Sequence, residues 1–258
     1  MVYTPTLWRS GRGFESRPPP FQAIFLLSKM TLKDNSFNPR NEILLYMPLK
    51  AVIFDMDGVL SQTQRLHAKA QSEILEEETG KQMEPERITA EYAGMEPGTF
   101  FEEETDTERP MELYSKKQER LHHLVEEEGV KAVPGVLNLI KGLEDDFTIG
   151  VASGSHPEFI EKVLDSLGMK ENFDSFTSAT KVGNAKPAPD VFLEEAKRLD
   201  VRPENCLVIE DGSAGMKGAN SAGMVSIGLS KSECPADFRV SSLKELDPQT
   251  LVKLYSKV

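Results

Sequence analysis

Between residues 50 and 230, four short apolar runs alternate with longer stretches whose apolar residues recur at three and four positions. The runs are AVIF at 51–54, FTIGVA at 147–152, CLVIE at 206–210 and MVSIGL at 224–229. They are rich in Val and Ile and bounded by Gly, Asp or Ser, so they read as strands buried on both faces. PEFIEKVLDSLGM (157–169) and APDVFLEEAKRLDV (188–201) carry the helical period. Ser155, with Glu158 three residues on, is spaced as a capping box for the first of them. Strands alternating with helices predict an α/β fold: a parallel sheet covered on both faces, with ligands gathered at the carboxyl ends of the strands.

The pattern is interrupted once. From Gln62 to Lys131 no strand signal occurs, and stretches such as HAKAQSEILEEETG and MELYSKKQERLHHLVEEEG read as helices. We therefore expect a Rossmann-like, doubly wound core over 47–61 and 132–258, with an all-α cap domain inserted at 62–131. Pro134 and Gly135 mark the return to the core. The first 46 residues hold the only Trp, a Pro triplet and six Lys/Arg against three Asp/Glu, without either period, and read as a disordered extension. Their Phe-Glu-Ser-Arg is how TTC-GAA-TCC-CGN translates, which resembles the T-arm of a transfer RNA gene. The expected start is then Met47.

A net charge of -12 over 258 residues argues against nucleic acid or an anionic membrane as partner, since both would be repelled. No run reaches the roughly twenty apolar residues that span a bilayer. FQAIFLL at 21–27 is short and has no cleavage site after it, so a secretory signal is not expected. Cys206 and Cys234 are the only cysteines and form no metal-binding or disulfide pattern, which makes a reducing cytoplasm the expected location; a monomer is the favoured state.

Polar residues capable of chemistry stand where the predicted strands end. Asp55 and Asp57 follow the first, with Gly58 free to turn the chain away. Ser153 and Gly154 end the second and offer a hydroxyl and an N–H to phosphate oxygens. Lys186 precedes the stiff Pro187 in NAKPAPD, and Glu210 and Asp211 close another strand. Each piece alone is weak, because carboxylates end many strands. Their order is the specific feature.

In that order the motifs resemble the haloacid dehalogenase superfamily over roughly residues 47 to 230, and most closely its helical-cap branch of beta-phosphoglucomutase-like and phosphoglycolate-phosphatase-like proteins. The resemblance implies Asp55 as the nucleophile that takes up a phosphoryl group and Asp57 as general acid and base. It implies Ser153 and Gly154 as phosphoryl binders and Lys186 as the bridge between nucleophile and phosphate. Asp55, Asp211 and Glu210, with the Asp57 carbonyl, would hold Mg2+. A carboxylate attacking a phosphate dianion needs such cations against like-charge repulsion. Asp55 cannot move protons while esterified, which is why a second carboxylate is needed.

The expected activity is magnesium-dependent hydrolysis of a small phosphorylated metabolite, such as a sugar phosphate. The alternative is a beta-phosphoglucomutase-type mutase; a phosphate-binding module without turnover is remote. A mutase of this branch grips a second phosphate with a cap Arg, and in ITAEYAGMEPGTF Glu91 stands about there, with Arg87 a turn away. Lys116 or Lys117 is the candidate cap lysine. Thr63 and His67 match positions that brace the acid aspartate and the cap linker, while Gln62 replaces an acid usual in the family. Met95, Phe100 and Phe101 are more often core than specificity residues. His122 and His123, about 100° apart on a helix, cannot share a metal and are expected to be solvated. His156 is expected to be exposed, Cys206 buried, and the Glu runs at 76–78, 102–104 and 126–128 outward. Glycines in GSAGMKGANSAG are expected to serve helix packing rather than nucleotide binding.

Overall fold

The computed structural model describes residues 49–92, 98–231 and 233–258. The expectations for the N-terminal extension, Met47 and Met95 lie outside them. The core is a six-stranded parallel sheet built from β1 (Ala51–Phe54), β2 (Thr148–Ser153), β3 (Ser175–Ser178), β4 (Cys206–Glu210), β5 (Val225–Leu229) and β6 (Phe238–Val240), in the order β3-β2-β1-β4-β5-β6. β1 is central, paired with β2 at Phe54 and Val151 and with β4 at Phe54 and Ile209.

Alternation along the strands divides the core into two layers, because successive side chains leave opposite faces. Val52, Phe54, Ile149, Val151, Leu207 and Ile209 face α5 (Val136–Leu143) and α6 (Pro157–Ser166), with Leu251 of α9 (Pro248–Tyr255) in the same layer. Ala51, Ile53, Ala152 and Val208 face α7 (Asp190–Arg198) and α8 (Ser213–Ser221), which supply Val191, Phe192, Ala196 and Ala219.

Four helices follow β1 before the chain returns to the sheet: α1 (Gln64–Thr79), α2 (Pro85–Tyr92), α3 (Thr99–Glu104) and α4 (Pro110–Glu128). Their facing sides enclose a separate apolar cluster of Ala68, Ile74, Leu75, Met83, Ile88, Phe100, Phe101 and Leu113. Phe100 and Phe101 are thus core. The Glu runs at 76–78 and 126–128 point outward, as do Glu102 and Glu103, while Glu104 is half-buried against Lys81 and Tyr92. Among the described residues no helix is long and apolar enough to cross a membrane.

Three local expectations require correction. The N-cap of α6 is His156, and Ser155 makes no capping bond because its hydroxyl is committed to Asp57. His122 is half-buried with its ring edge against Phe159, whereas His123 is exposed. Two strands, β3 and β6, carry no run of apolar residues long enough to announce them. β3 reads SFTS because Phe176 packs into one core layer while Ser175 and Thr177 point the other way, to the buried Glu195 carboxyl on α7. The Thr177 hydroxyl donates to Glu195 Oε2 at 2.6 Å and the Ser175 hydroxyl at 3.2 Å. Burial still pushes the Glu195 carboxyl up to about 8.

Candidate active site

The residues singled out at the strand ends converge on one end of the sheet. Asp55 leaves β1 with its N–H donating to Ile209 O, so the β-ladder continues through the residue that carries the carboxylate. Lys186 Nζ donates to Asp55 Oδ1, to Glu210 Oε1 at 2.8 Å and to Ala152 O at 3.1 Å. The ammonium therefore ties together the ends of β1, β2 and β4. Burial would discharge it, but the charges of Asp55 and Glu210 outweigh that and hold it firmly protonated. Asp55, only 6% exposed, is pushed well up by burial; Lys186 opposes the shift, while Glu210, Asp211 and Asp57 add to it.

Two glycines set how closely the chain packs here. Gly58 sits at φ 93, and a Cβ there would fall 2.0 Å from Asp211 Oδ2 and 2.6 Å from Gln64 Nε2. A Cβ on Gly215 would fall 1.7 Å from Glu210 Oε1. Gly215 thus serves close packing of α8 onto the site, whereas Gly223 meets nothing within 4 Å.

Asp57 lies across from this cluster and is differently held. Thr63 Oγ1 donates to its Oδ1 and Ser155 Oγ to its Oδ2 at 3.0 Å, while His67 Nε2 stands 3.6 Å from Oδ1. That last separation is too long for a hydrogen bond, and Nε2 has no other partner. Burial alone would raise the Asp57 carboxyl, but His67, Thr63 and Ser155 together hold it at about 2. The two carboxylates of the D-x-D pair are thus shifted in opposite directions, Asp55 up by burial among other acids and Asp57 down by the groups around it.

Cap and core meet at His67. Its Nδ1 lies 2.9 Å from Lys117 Nζ on α4, and from there Lys117 reaches Gln118 Oε1 at 3.4 Å while Gln118 Nε2 donates to the Tyr114 hydroxyl at 2.8 Å. Burial lowers Lys117 to about 8 and also lowers His67, with the nearby Lys117 charge adding to the second shift. Lys116, by contrast, turns outward to Glu78 at 3.5 Å. Ser153 is buried at the end of β2, and its hydroxyl accepts from the Ser155 N–H at 3.1 Å; Gly154 beside it is exposed. Gln62 does no chemistry: its side-chain amide donates to Ala132 O at 2.9 Å, stitching the two linkers of the cap together.

Sequence reasoning missed Ser155 and Gln64. Ser155 has the spacing of a helix cap, although its place two residues past Ser153 in GVASGS is a signal that it faces the same loop mouth. Gln64, whose Nε2 donates to Asp211 Oδ2 at 2.7 Å, carried no signal at all, because its partner is 147 residues away.

A divalent cation would find hard oxygen donors here. Among the described residues no three His, Cys, Asp or Glu side chains converge as a complete cage. Glu210, grouped with the ligands on sequence, has Oε1 engaged by Lys186 and Oε2 by the Gly212 N–H at 2.5 Å. What remains is Asp55, Asp211 and backbone carbonyl, which suits Mg2+, an ion bound through one or two carboxylates with water and substrate phosphate filling the octahedron. Burial and then Glu210 push Asp211 up to about 7.

The model of a hydrolase family, described as haloacid dehalogenase-like hydrolase, matches residues 49–223. The chain belongs to the haloacid dehalogenase-like hydrolases. It is 30% identical over 196 residues to the fructose-1-phosphate phosphatase YqaB of Escherichia coli (strain K12), covering 70% of this chain and 96% of that protein. It is also 30% identical over 195 residues to the beta-phosphoglucomutase of Bacillus subtilis (strain 168), covering 72% of this chain and 85% of that one. Among solved structures, the beta-phosphoglucomutase of Clostridium difficile superposes with a TM-score of 0.70 at 28% identity, over 81% of this chain and 98% of that one. This haloacid dehalogenase-like hydrolase is thus an enzyme whose relatives include both phosphatases and mutases of sugar phosphates.

Proposed function

We propose that the protein is a magnesium-dependent phosphatase that hydrolyses the monophosphate ester of a small polyhydroxylated metabolite, a sugar phosphate or similar, by way of a phosphoryl group on Asp55. The observation that carries this reading over a mutase is the charge of the cap. Residues 62–131 hold eighteen Asp and Glu against nine Lys and Arg. From Gln64 to Glu128 every cation other than Lys117 lies against a cap carboxylate, as Arg87 does against Glu91 at 2.9 Å and Arg120 against Glu127 at 2.8 Å. Lys117 itself is buried beside His67. A second, non-reacting phosphate would meet an acidic surface without a free cation to grip it.

In this reading an Asp55 oxygen attacks phosphorus, the ester P–O bond breaks, and its electrons leave on the substrate oxygen. Lys186 holds Asp55 in line and neutralises one of the phosphoryl charges, and Glu210 holds Lys186. Ser153 and the Gly154 N–H take the other phosphoryl oxygens. Mg2+, held by Asp55, Asp211 and the Asp57 carbonyl, would supply the remaining positive charge. Asp57 rests ionised, so it must first gain a proton; the dianion arriving beside it raises its proton affinity. It then protonates the departing alkoxide, and ionised once more it takes the proton of the water that breaks the Asp55–phosphorus bond. Acid and base work of this kind is worth roughly 10² to 10⁴ in rate.

The test is phosphate release from para-nitrophenyl phosphate and a panel of sugar monophosphates, with and without Mg2+. Phosphate binding without turnover would make the protein a binding module instead. Conversion of beta-glucose 1-phosphate to glucose 6-phosphate in the presence of glucose 1,6-bisphosphate, without free phosphate, would make it a mutase.

A further inference from the structure

Gln64 opens α1, the first helix of the cap, and its side chain reaches back across the linker to the core. Its Nε2 donates to Asp211 Oδ2 at 2.7 Å. The contact lies at the exposed edge of the site, and Gly58 passes so close under it that a Cβ there would overlap both partners, at 2.0 Å from Asp211 Oδ2 and 2.6 Å from Gln64 Nε2. On either side the linker is pinned as well. Gln62 N–H donates to Lys131 O at 2.8 Å, its side chain to Ala132 O at 2.9 Å, and the Thr63 hydroxyl to Asp57. Gln64 is therefore the point at which the start of the cap touches a carboxylate that the function proposed above assigns to Mg2+.

A carboxylate on the end of a two-bond side chain can turn, and an ion that keeps only one or two protein carboxylates depends on each being aimed. An amide is the right chemistry to aim it: it donates to one oxygen, adds no charge and does not displace the other oxygen. We propose that Gln64 is a positioning residue for Asp211, steadying the carboxylate that would hold the cation, and that through it cation binding is linked to the posture of the cap hinge. The inference rests on the magnesium reading of the site, and its test separates the two.

Mg2+ is titrated calorimetrically into the full-length wild-type protein and the variants Gln64→Ala and Gln62→Ala, without substrate. Removing a group that orients a ligand weakens metal binding about 10- to 100-fold, so Gln64→Ala is expected to fall in that range and Gln62→Ala to match wild type. Backbone hydrogen exchange across residues 62–67 is expected to slow when Mg2+ binds to wild type and to be unresponsive in Gln64→Ala. Thermal melting without Mg2+ confirms that both variants fold. Wild-type affinity in Gln64→Ala, or tighter binding, which would mark Gln64 as a competitor for Asp211, overturns this inference and leaves the phosphatase reading intact. Wild-type protein that binds no Mg2+ overturns the metal reading, and this inference with it.

Discussion

Lys117 Nζ stands 2.9 Å from His67 Nδ1. An ammonium can only donate, so Nδ1 must accept and the ring proton is left on Nε2, the nitrogen turned to Asp57 Oδ1 at 3.6 Å. One cap residue thereby sets the tautomer of a histidine that faces the proposed acid and base. Replacing Lys117 by Met should raise the pKa of His67, since the Lys117 charge is among the forces lowering it, and should let the other tautomer appear. Imidazole nitrogen shifts followed by NMR across pH would show both. Unchanged shifts would mean that the contact has no influence on the ring.

The two aspartates should fail differently. Asp55→Asn is expected to abolish phosphate release, whereas Asp57→Asn should slow it by roughly 10² to 10⁴. Because the second step also needs a base, the Asp57 variant should accumulate phosphorylated protein detectable by intact mass. Normal turnover by Asp55→Asn would refute the nucleophile assignment.

Gly215→Ala should damage the site without touching any reacting group. Its Cβ would lie 1.7 Å from Glu210 Oε1, the oxygen that accepts from Lys186, so Glu210 must move and Lys186 loses a tether. Overpacking of this kind typically costs about 1–3 kcal/mol in stability. We expect a lower melting temperature together with a fall in kcat at saturating Mg2+. A full kcat in a destabilised protein would show that the position of Lys186 does not depend on Glu210.

Glu195 predicts a pH dependence of stability. Its folded-state pKa, about 8, lies above the ordinary value of 4.5, so the folded chain holds a proton that the unfolded chain releases. The stabilisation is complete below the ordinary value and is lost as pH rises through about 8, on the order of a few kcal/mol across that window. Urea unfolding at about pH 5 and about pH 8 should show wild type losing more stability than Glu195→Gln, whose amide does not titrate. Equal losses in the two proteins would rule out Glu195 as the source.

How far the site could be read before folding depended on the distance over which each residue acts. Asp55, Asp57, Ser153 and Asp211 stand at or just past the ends of strands whose periodicity is local, and a parallel sheet brings such ends together whatever lies between them, while Lys186 comes from the loop between β3 and α7. The same locality explains why β1, β2, β4 and β5 were readable and β3 and β6 were not. SFTS is a strand because β2 lies beside it, and its hydroxyls are explained only by Glu195 on α7. Glu195 itself sits at a helix position where the sequence pattern expects an apolar residue, while its neighbour Leu193 is exposed.

The amino-acid sequence by itself determined the doubly wound sheet, the interruption by helices after β1 and the set of strand-end residues, because period and turn chemistry are properties of a few consecutive residues. Only the tertiary structure decided what each polar group answers to. It turned Ser155 from a cap into a partner of Asp57, set Lys117 beside His67 and Lys116 beside Glu78, engaged Glu210 with Lys186 and the Gly212 N–H, and set Gln64 against Asp211. Each of these choices joins residues far apart in the chain, and a hydrogen bond depends on where two atoms arrive rather than on which residues precede them.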